Sequence, residues 1–246
     1  MSGLVYLITG ANRGIGLGLT EHYLTLPNTI VIAAVRNPSS VDGLKALKAG
    51  SSSKLVIIKI DSASTTDAAE AVRVLKSEHS ITHIDVVIAN AGLGRYWGPA
   101  LETPISEFQE HFQVNATGVL VLFQAVHGLL EASKAPKFIP IGTPVGSIGE
   151  LESYPLPTTA YGTSKAALNF LTRKLHFEHP DIVIYSLAPG WVQTEMGRGA
   201  ASAVGMDDAP VTLEESVAGL TKSIDNATRE TMGGVFASYD GKTHAW

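Results

Sequence analysis

Short runs of β-branched and aliphatic residues alternate along the chain with longer stretches whose apolar positions recur at helical spacing. Leu4–Thr9, Thr29–Val35, Lys54–Ile60, Ile84–Ala89, Lys137–Ile141, Ile182–Ala188 and Gly234–Ser238 read as strands. Helices are predicted over Gly14–Leu26, closed by Pro27, and over about Thr65–Glu78. A long one follows Pro104 and runs to about Ser133, with Phe108, Phe112, Asn115, Val119 and Leu122 on one face. Two more cover Thr158–Glu178, ended by Pro180, and Leu213–Asp225. The strands are continuous apolar runs, the pattern of strands buried on both faces. Alternation of strand and helix from end to end predicts an α/β fold, a doubly wound parallel sheet with helices on both faces. No linker, repeat or low-complexity segment divides the chain, so one domain over residues 1–246 is expected.

Composition narrows the function classes. A domain of this length buries roughly 70–75% of its unfolded surface and needs no covalent staples. There are no cysteines, which excludes disulfides and thiolate metal sites and fits a reducing, cytoplasmic setting. The formal charge is −5, without basic blocks, so no nucleic-acid partner is expected. No apolar run is read as approaching the ~18 residues of a membrane span. The start, Met1-Ser2-Gly3-Leu4, carries no charged leader and reads as a strand beginning at once.

Sheets of this kind bind ligands at the carboxyl ends of their strands. The first strand there runs into Gly10-Ala11-Asn12-Arg13-Gly14-Ile15-Gly16. Gly10 permits a tight turn, Gly14 lets backbone amides approach a pyrophosphate, and Gly16 lets the helix pack closely on the sheet. The unpaired N–H groups and the dipole at the helix start favour an anion. After the second strand the chain has Arg36 rather than an acid, and Arg13 sits inside the turn. Two guanidinium groups near the adenosine ribose suit a 2′-phosphate, which selects NADP(H) over NAD(H).

Tyr161 and Lys165 are four residues apart at the start of a helix, so phenol and ammonium share a face. A cation about 4 Å away at an effective dielectric of about 20 is worth ~4 kcal/mol. That would lower the phenol from ~10 by roughly three pKa units and make Tyr161 a usable acid or base. By itself the spacing is unspecific, and its weight comes from its place after the glycine turn and the fifth strand.

Together these two motifs resemble the short-chain dehydrogenase/reductase family over essentially the whole chain. Asn90-Ala91-Gly92 after the fourth strand is similar to the family's element that supports the sheet near the cofactor. The resemblance further implies an adenine contact at Asp61 and an asparagine at Asn115 that anchors a relay water. It also implies a nicotinamide-side segment, Pro189-Gly190-Trp191-Val192-Gln193-Thr194, with Thr194 on the carboxamide. Gly146-Ser147-Ile148-Gly149 and Arg173–Glu178 are similar to fungal norsolorinic-acid-type ketoreductases and sniffer-like carbonyl reductases. One departure stands out: where the family usually has two serines after the fifth strand, this chain has Gly142-Thr143. Thr143 keeps a hydroxyl for the substrate carbonyl but narrows the site with a β-branch. Ser147 is a rival that matches a second, non-catalytic serine. Glu150–Pro157 reads as a substrate-facing flap.

The implied reaction is reversible, NADPH-dependent reduction of a ketone. Tyr161 donates the proton, Thr143 a hydrogen bond to the same oxygen, Lys165 holds the ribose and tunes Tyr161, and Asn115 holds the relay water. Leu93, Gly94, Pro144, Val145, Tyr154, Trp191 and Met196 are the expected substrate wall, under a mobile lid at about residues 195–212. Their apolar, aromatic character predicts a bulky hydrophobic carbonyl substrate. The pairs His176/His179 and His79/His83 are read as solvated helix faces and no metal site is expected. The resemblance implies a face for a second copy on the long helix, and Trp246 is expected to pack at a subunit contact, giving a homo-oligomer. The alternatives are an NADPH-binding sensor or scaffold on the same fold, and oxidation of a secondary alcohol in the reverse direction.

Overall fold

The apolar runs form a parallel sheet because consecutive residues in each strand serve opposite cores. In β1 (Val5–Thr9), Val5 and Leu7 join one buried cluster, whereas Tyr6 and Ile8 join the other. The same division holds in β2 (Ile30–Val35), where Ile32 and Ala34 face one side and Val31, Ala33 and Val35 the other. This accounts for the absence of polar alternation. The computed structural model describes residues 3–246; Met1 and Ser2, part of the start expected to lack a leader, lie outside them.

Between β1 and β2 lies α1 (Gly14–Thr25), and a short α2 (Asp42–Lys45) follows β2. The chain continues through β3 (Lys54–Lys59), α3 (Asp67–His79) and β4 (Val86–Ala89). Next come α4 (Ile105–Phe112), a π-helical turn over Gln113–Thr117 and α5 (Gly118–Glu131). β5 (Lys137–Pro140), α6 (Thr159–Glu178), β6 (Val183–Ile184) and β7 (Ser186–Ala188) follow. The chain ends with α7 (Glu195–Ala203), α8 (Leu213–Asn226), α9 (Arg229–Met232) and β8 (Phe236–Ser238). Six strands lie in the order β3-β2-β1-β4-β5-β6, all neighbours parallel, and β7 pairs with β8. Buried residues of α3, α5 and α6 cover one face; those of α1 and α8 cover the other.

Three expectations are corrected. The sixth strand divides at Tyr185: Val183 and Ile184 pair with β5 and Ser186 to Ala188 with β8, while Leu187 keeps one bridge to Ile141 just past β5. The long helix is interrupted by the π turn, where the Gly118 N–H reaches back to the Gln113 carbonyl. A segment long and apolar enough to cross a membrane does exist, since Ile105–Glu131 passes by length and composition. Half of its apolar window is buried inside the protein, with Val119, Leu122, Phe123, Val126, Leu129 and Leu130 in the core. Packing against the sheet accounts for this apolar face.

Candidate active site

The strand order reverses between β1 and β4, which opens a crevice at their carboxyl ends. Asn90 stitches the two ends together: its amide donates to the Thr9 carbonyl at 2.8 Å, and the Ala91 N–H donates to Thr9 Oγ1 at 2.9 Å. Gly10 follows at φ +64°, and a Cβ on Gly16 would lie 2.2 Å from the Gly10 carbonyl oxygen, so only glycine permits this approach. The first-turn amides of α1 have no intrahelical acceptor, and Arg13 supplies no side-chain cap. Across from them is Thr194: a Cβ on Gly14 would come within 3.2 Å of its methyl. The result is an uncapped helix start facing a narrow gap, a cradle that fits a pyrophosphate.

Around this cradle, Asn12 donates to the Ser40 carbonyl at 3.2 Å. Arg36 is exposed past the end of β2 and has no carboxylate partner among the described residues. Arg13, by contrast, pairs with Glu195 at the start of α7. Asp61 follows β3; its carboxylate accepts the Ala63 N–H at 3.0 Å. Gly190 takes φ +81°, and Val192 is buried and bridges to Val211. Thr194 Oγ1 caps α7 by accepting the Gly197 N–H at 3.1 Å.

Tyr161 and Lys165 lie one turn apart on α6, Tyr161 half-buried and Lys165 buried. The ammonium donates to the Ile141 carbonyl at 2.8 Å and stands 5.8 Å from the centre of the Tyr161 ring. A Cβ on Gly92 would lie 3.8 Å from Lys165 Nζ and 3.4 Å from Asn115 Oδ1, so these three residues converge. Asn115 sits in the π turn, fully buried. Its Oδ1 accepts the Leu93 N–H at 2.7 Å, and its amide donates to the Leu93 carbonyl at 2.8 Å and to Ser164 Oγ at 2.9 Å. Ser164 donates in turn to the Tyr161 carbonyl at 2.7 Å.

The expected acidification of the phenol is not found. Burial pushes Tyr161 up to about 12 and Lys165 down to about 8. Desolvation wins because the ammonium is aimed at the Ile141 carbonyl rather than at the phenol. Thr143 is half-buried; its hydroxyl accepts the Val145 N–H at 3.4 Å and donates to no protein acceptor among the described residues. Ser147 is committed on both sides, donating to the Ala245 carbonyl at 2.8 Å and accepting the Glu150 N–H at 3.0 Å.

Part of the expected wall assembles beside Tyr161. A Cβ on Gly94 would lie 3.1 Å from Met196 Sδ and 3.2 Å from Tyr161 Cε2. The Val145 carbonyl lies against Gly162, and Pro144 opens the same short turn after Thr143. Trp191 donates its indole N–H to the Gly197 carbonyl at 2.8 Å, fixing α7. Tyr154 instead lies in the field of Glu150 and Lys242, and burial and Glu150 raise its phenol. The expected loose lid is half helix, with Arg198 tied to Asp208 at 3.2 Å. Two residues escaped the sequence reading. Trp97 sets its ring edge-on to Tyr161 with centroids 5.5 Å apart; its signal was an aromatic residue in the short loop after Asn90-Ala91-Gly92. Ser164 had only its place beside Lys165 to mark it. Three of the histidines expected on solvated faces are not simply solvated. His179 lies tilted against Phe123 and meets His127 at 3.1 Å, His176 packs on Gly233 and Gly234, and His83 pairs with Asp85 at 3.5 Å. Trp246 packs on Phe236 and under Arg173 of its own chain.

A switch-point cradle beside a buried tyrosine–lysine helix defines a nucleotide-binding oxidoreductase class. The model of the family described as short chain dehydrogenase matches residues 4–204, and the chain belongs to that family. The norsolorinic acid ketoreductase of Emericella nidulans is 45% identical over 98% of this chain and 93% of its own length. That of Aspergillus parasiticus is 43% identical over 98% and 91%. Among solved structures, the NADPH-bound carbonyl reductase from chicken fatty liver has a TM-score of 0.86 at 29% identity, with both chains covered completely. Carbonyl reductase Sniffer of D. melanogaster has a TM-score of 0.85 at 27% identity, again with full coverage of both.

Ser164→Ala removes the acceptor of a buried Asn115 N–H while leaving the Leu93 contacts. The expected cost is about 1–3 kcal/mol of stability. Chemical denaturation measures it, and a midpoint equal to that of the unaltered protein would remove Ser164 from the network.

Proposed function

We propose that this protein is an NADPH-dependent ketoreductase acting on a bulky, hydrophobic ketone. The observation that carries the reading is the convergence of Gly92, Asn115 and Lys165 beneath Tyr161, next to the uncapped glycine turn. The relatives named as ketoreductases and the NADPH-bound structural neighbour support it. The cofactor would be held by the amides of Gly14 to Gly16, by Asn12 and Asp61 on the adenosine side, and by Asn90-Ala91-Gly92. Pro189, Gly190, Val192 and Thr194 would flank the nicotinamide. Arg36, without a carboxylate partner among the described residues, would meet a 2′-phosphate, and Arg13 would join it on exchanging Glu195 for the phosphate, which favours NADP(H). When bound, NADPH supplies a hydride to the carbonyl carbon.

The chain's own groups handle the proton. Tyr161, held neutral at physiological pH by burial, donates to the forming alkoxide. Thr143, whose hydroxyl hydrogen has no acceptor among the described residues, donates to the same oxygen. Lys165 would hold the ribose, and its positive charge would stabilise the phenolate left behind. Asn115 keeps the segment at Leu93 in place, and its Oδ1 would hold the relay water through which the phenolate is reprotonated from solvent. Trp97, Leu93, Met196 and Trp191 give the wall its apolar, aromatic character. The reaction is reversible in principle. We further propose a homo-oligomer, since Phe170, Phe177 and Ile148 are exposed beside Trp246 around a groove of about 500 Å³.

Tyr161→Phe removes the proton donor without touching the cradle. Ketone turnover should fall by at least ~10², with NADPH affinity within about twofold in a fluorescence titration; retained turnover would refute the assignment. The pH dependence follows from Lys165. Its ammonium is lost as pH rises through about 8, so kcat/KM for NADPH should be flat on the acid side and decline above that value. A profile unchanged between about pH 6.5 and 9.5, roughly 1.5 units either side of the lysine, would contradict a role for its charge.

A further inference from the structure

The C-terminal segment is wired to the loop that joins Thr143 to Tyr161, and nothing in the reaction described above uses that wiring. After β8 the chain turns back on itself: the Ser238 N–H donates to the Lys242 carbonyl and the His244 N–H to the Phe236 carbonyl, both at 2.8 Å. This hairpin presents His244, Ala245 and Trp246 to residues 147–150. Ser147 Oγ donates to the Ala245 carbonyl at 2.8 Å, and the Gly149 N–H donates to the main-chain oxygen of Trp246 at 2.9 Å. Glu150 completes the junction with both carboxylate oxygens. Oε1 accepts the Ala245 N–H at 2.7 Å, and Oε2 lies 2.9 Å from His244 Nδ1. Aromatic packing backs these links. Phe236 lies 5.1 Å from the His244 ring and 5.4 Å from the Trp246 ring, and Arg173 of α6 stands over Trp246 at 5.3 Å.

The wiring has direct reach to the reacting groups. Glu150 opens the segment 150–157, whose far end reaches the site, since Thr158 bridges Gly98 next to Trp97, and Ser147 closes the turn that begins at Thr143. Phe236, the residue on which the hairpin packs, also lies under Gly142; a Cβ there would come within 3.1 Å of its ring. The loop itself is fitted to α6, since a Cβ on Gly146 would lie 2.6 Å from Lys165 Cβ. Within one chain, Ile148 is largely exposed. A free loop of this size samples many positions, and each added contact restricts them. Glu150 is suited to the task. Burial pushes its carboxyl up, but the Ala245 N–H and His244 outweigh that and hold it below the usual carboxylate range.

We infer that Glu150 and residues 244–246 form a latch that fixes the flap against the substrate, making Glu150 a positioning residue that sets affinity for bulky ketones. The inference rests on the reductase reading for its substrate and on the geometry alone for the latch. With the latch released, the flap closes poorly on a large ketone, whereas a small one, which does not reach it, is unaffected.

The test uses the full chain with saturating NADPH and two ketones, 2-acetylnaphthalene and butane-2,3-dione. Glu150→Ala is expected to raise KM for the large ketone about tenfold and to change that for the small one by less than about twofold, with NADPH affinity unchanged. Glu150→Gln keeps an acceptor for Ala245 and a polar partner for His244, and should restore the large ketone's KM to within about threefold. A merely structural role would lower the active fraction, cutting kcat for both ketones equally and leaving each KM as it was; that result overturns the latch. If Glu150→Ala does not fold, His244→Ala removes one of the two carboxylate links and is read in the same way. Amide hydrogen exchange gives a readout independent of turnover. Residues 147–157 should exchange about tenfold faster in the variant, and unchanged exchange refutes the latch even if no ketone is reduced. Failure of the unaltered protein to turn over either ketone would fault the reductase reading instead.

Discussion

An ammonium group held inside the protein is the constraint around which the site is built. Lys165 is 5% exposed, donates to a single carbonyl at 2.8 Å, and has its pKa driven down to about 8 by burial. Burying a charge without a carboxylate partner is unfavourable, and it persists only if the surroundings leave the side chain nowhere else to go. They do so closely. Gly146 packs on its Cβ, the Ile141 carbonyl takes one of its hydrogens, and Gly92 leaves open the space in front of the nitrogen. The same desolvation keeps Tyr161 protonated, up at about 12. A neutral phenol beside a cation is arranged to give a proton away and be stabilised once it has gone.

The elements around that pair are bound to one another through the backbone. Asn115 is turned inward by the π turn and locks Leu93 to α6 through Ser164. Asn90 locks β4 to β1, and so ties the wall loop to the glycine turn. At the far edge of the sheet, β7 leads into the segment at Pro189 while β8 leads into the hairpin that reaches Glu150. One pair of strands therefore supports both the cofactor-side loop and the substrate flap.

Most of the sheet was legible in the residues, because strands buried on both faces leave an unmistakable run of apolar side chains. The glycine turn was legible for a related reason: φ of +64° at Gly10 and the 2.2 Å approach at Gly16 restrict both positions to one residue type. What escaped were features that depend on tertiary surroundings. The π turn adds one residue to a helix whose periodicity barely changes. The division at Tyr185 reflects a gap in backbone hydrogen bonding, to which side-chain pattern is blind. The sense of the Tyr161 shift was misjudged because a helical spacing of four says that two groups are neighbours but not where the ammonium points. Trp97 was missed since a lone aromatic in a loop has no period. The apolar character of Ile105–Glu131 shows over the whole helix and not in any run, because residues such as His111, Asn115 and His127 interrupt every apolar stretch.

The central claim is that the Tyr161–Lys165 pair and the switch-point cradle form one reductase site with a preference for NADPH. Its most direct test mixes the purified protein with NADPH or NADH and a panel of bulky aryl ketones, following absorbance of the reduced nicotinamide. The account predicts ketone-dependent oxidation of NADPH, with NADH at least ~10-fold less effective by kcat/KM. Failure to bind either nucleotide, in a parallel titration, would contradict it.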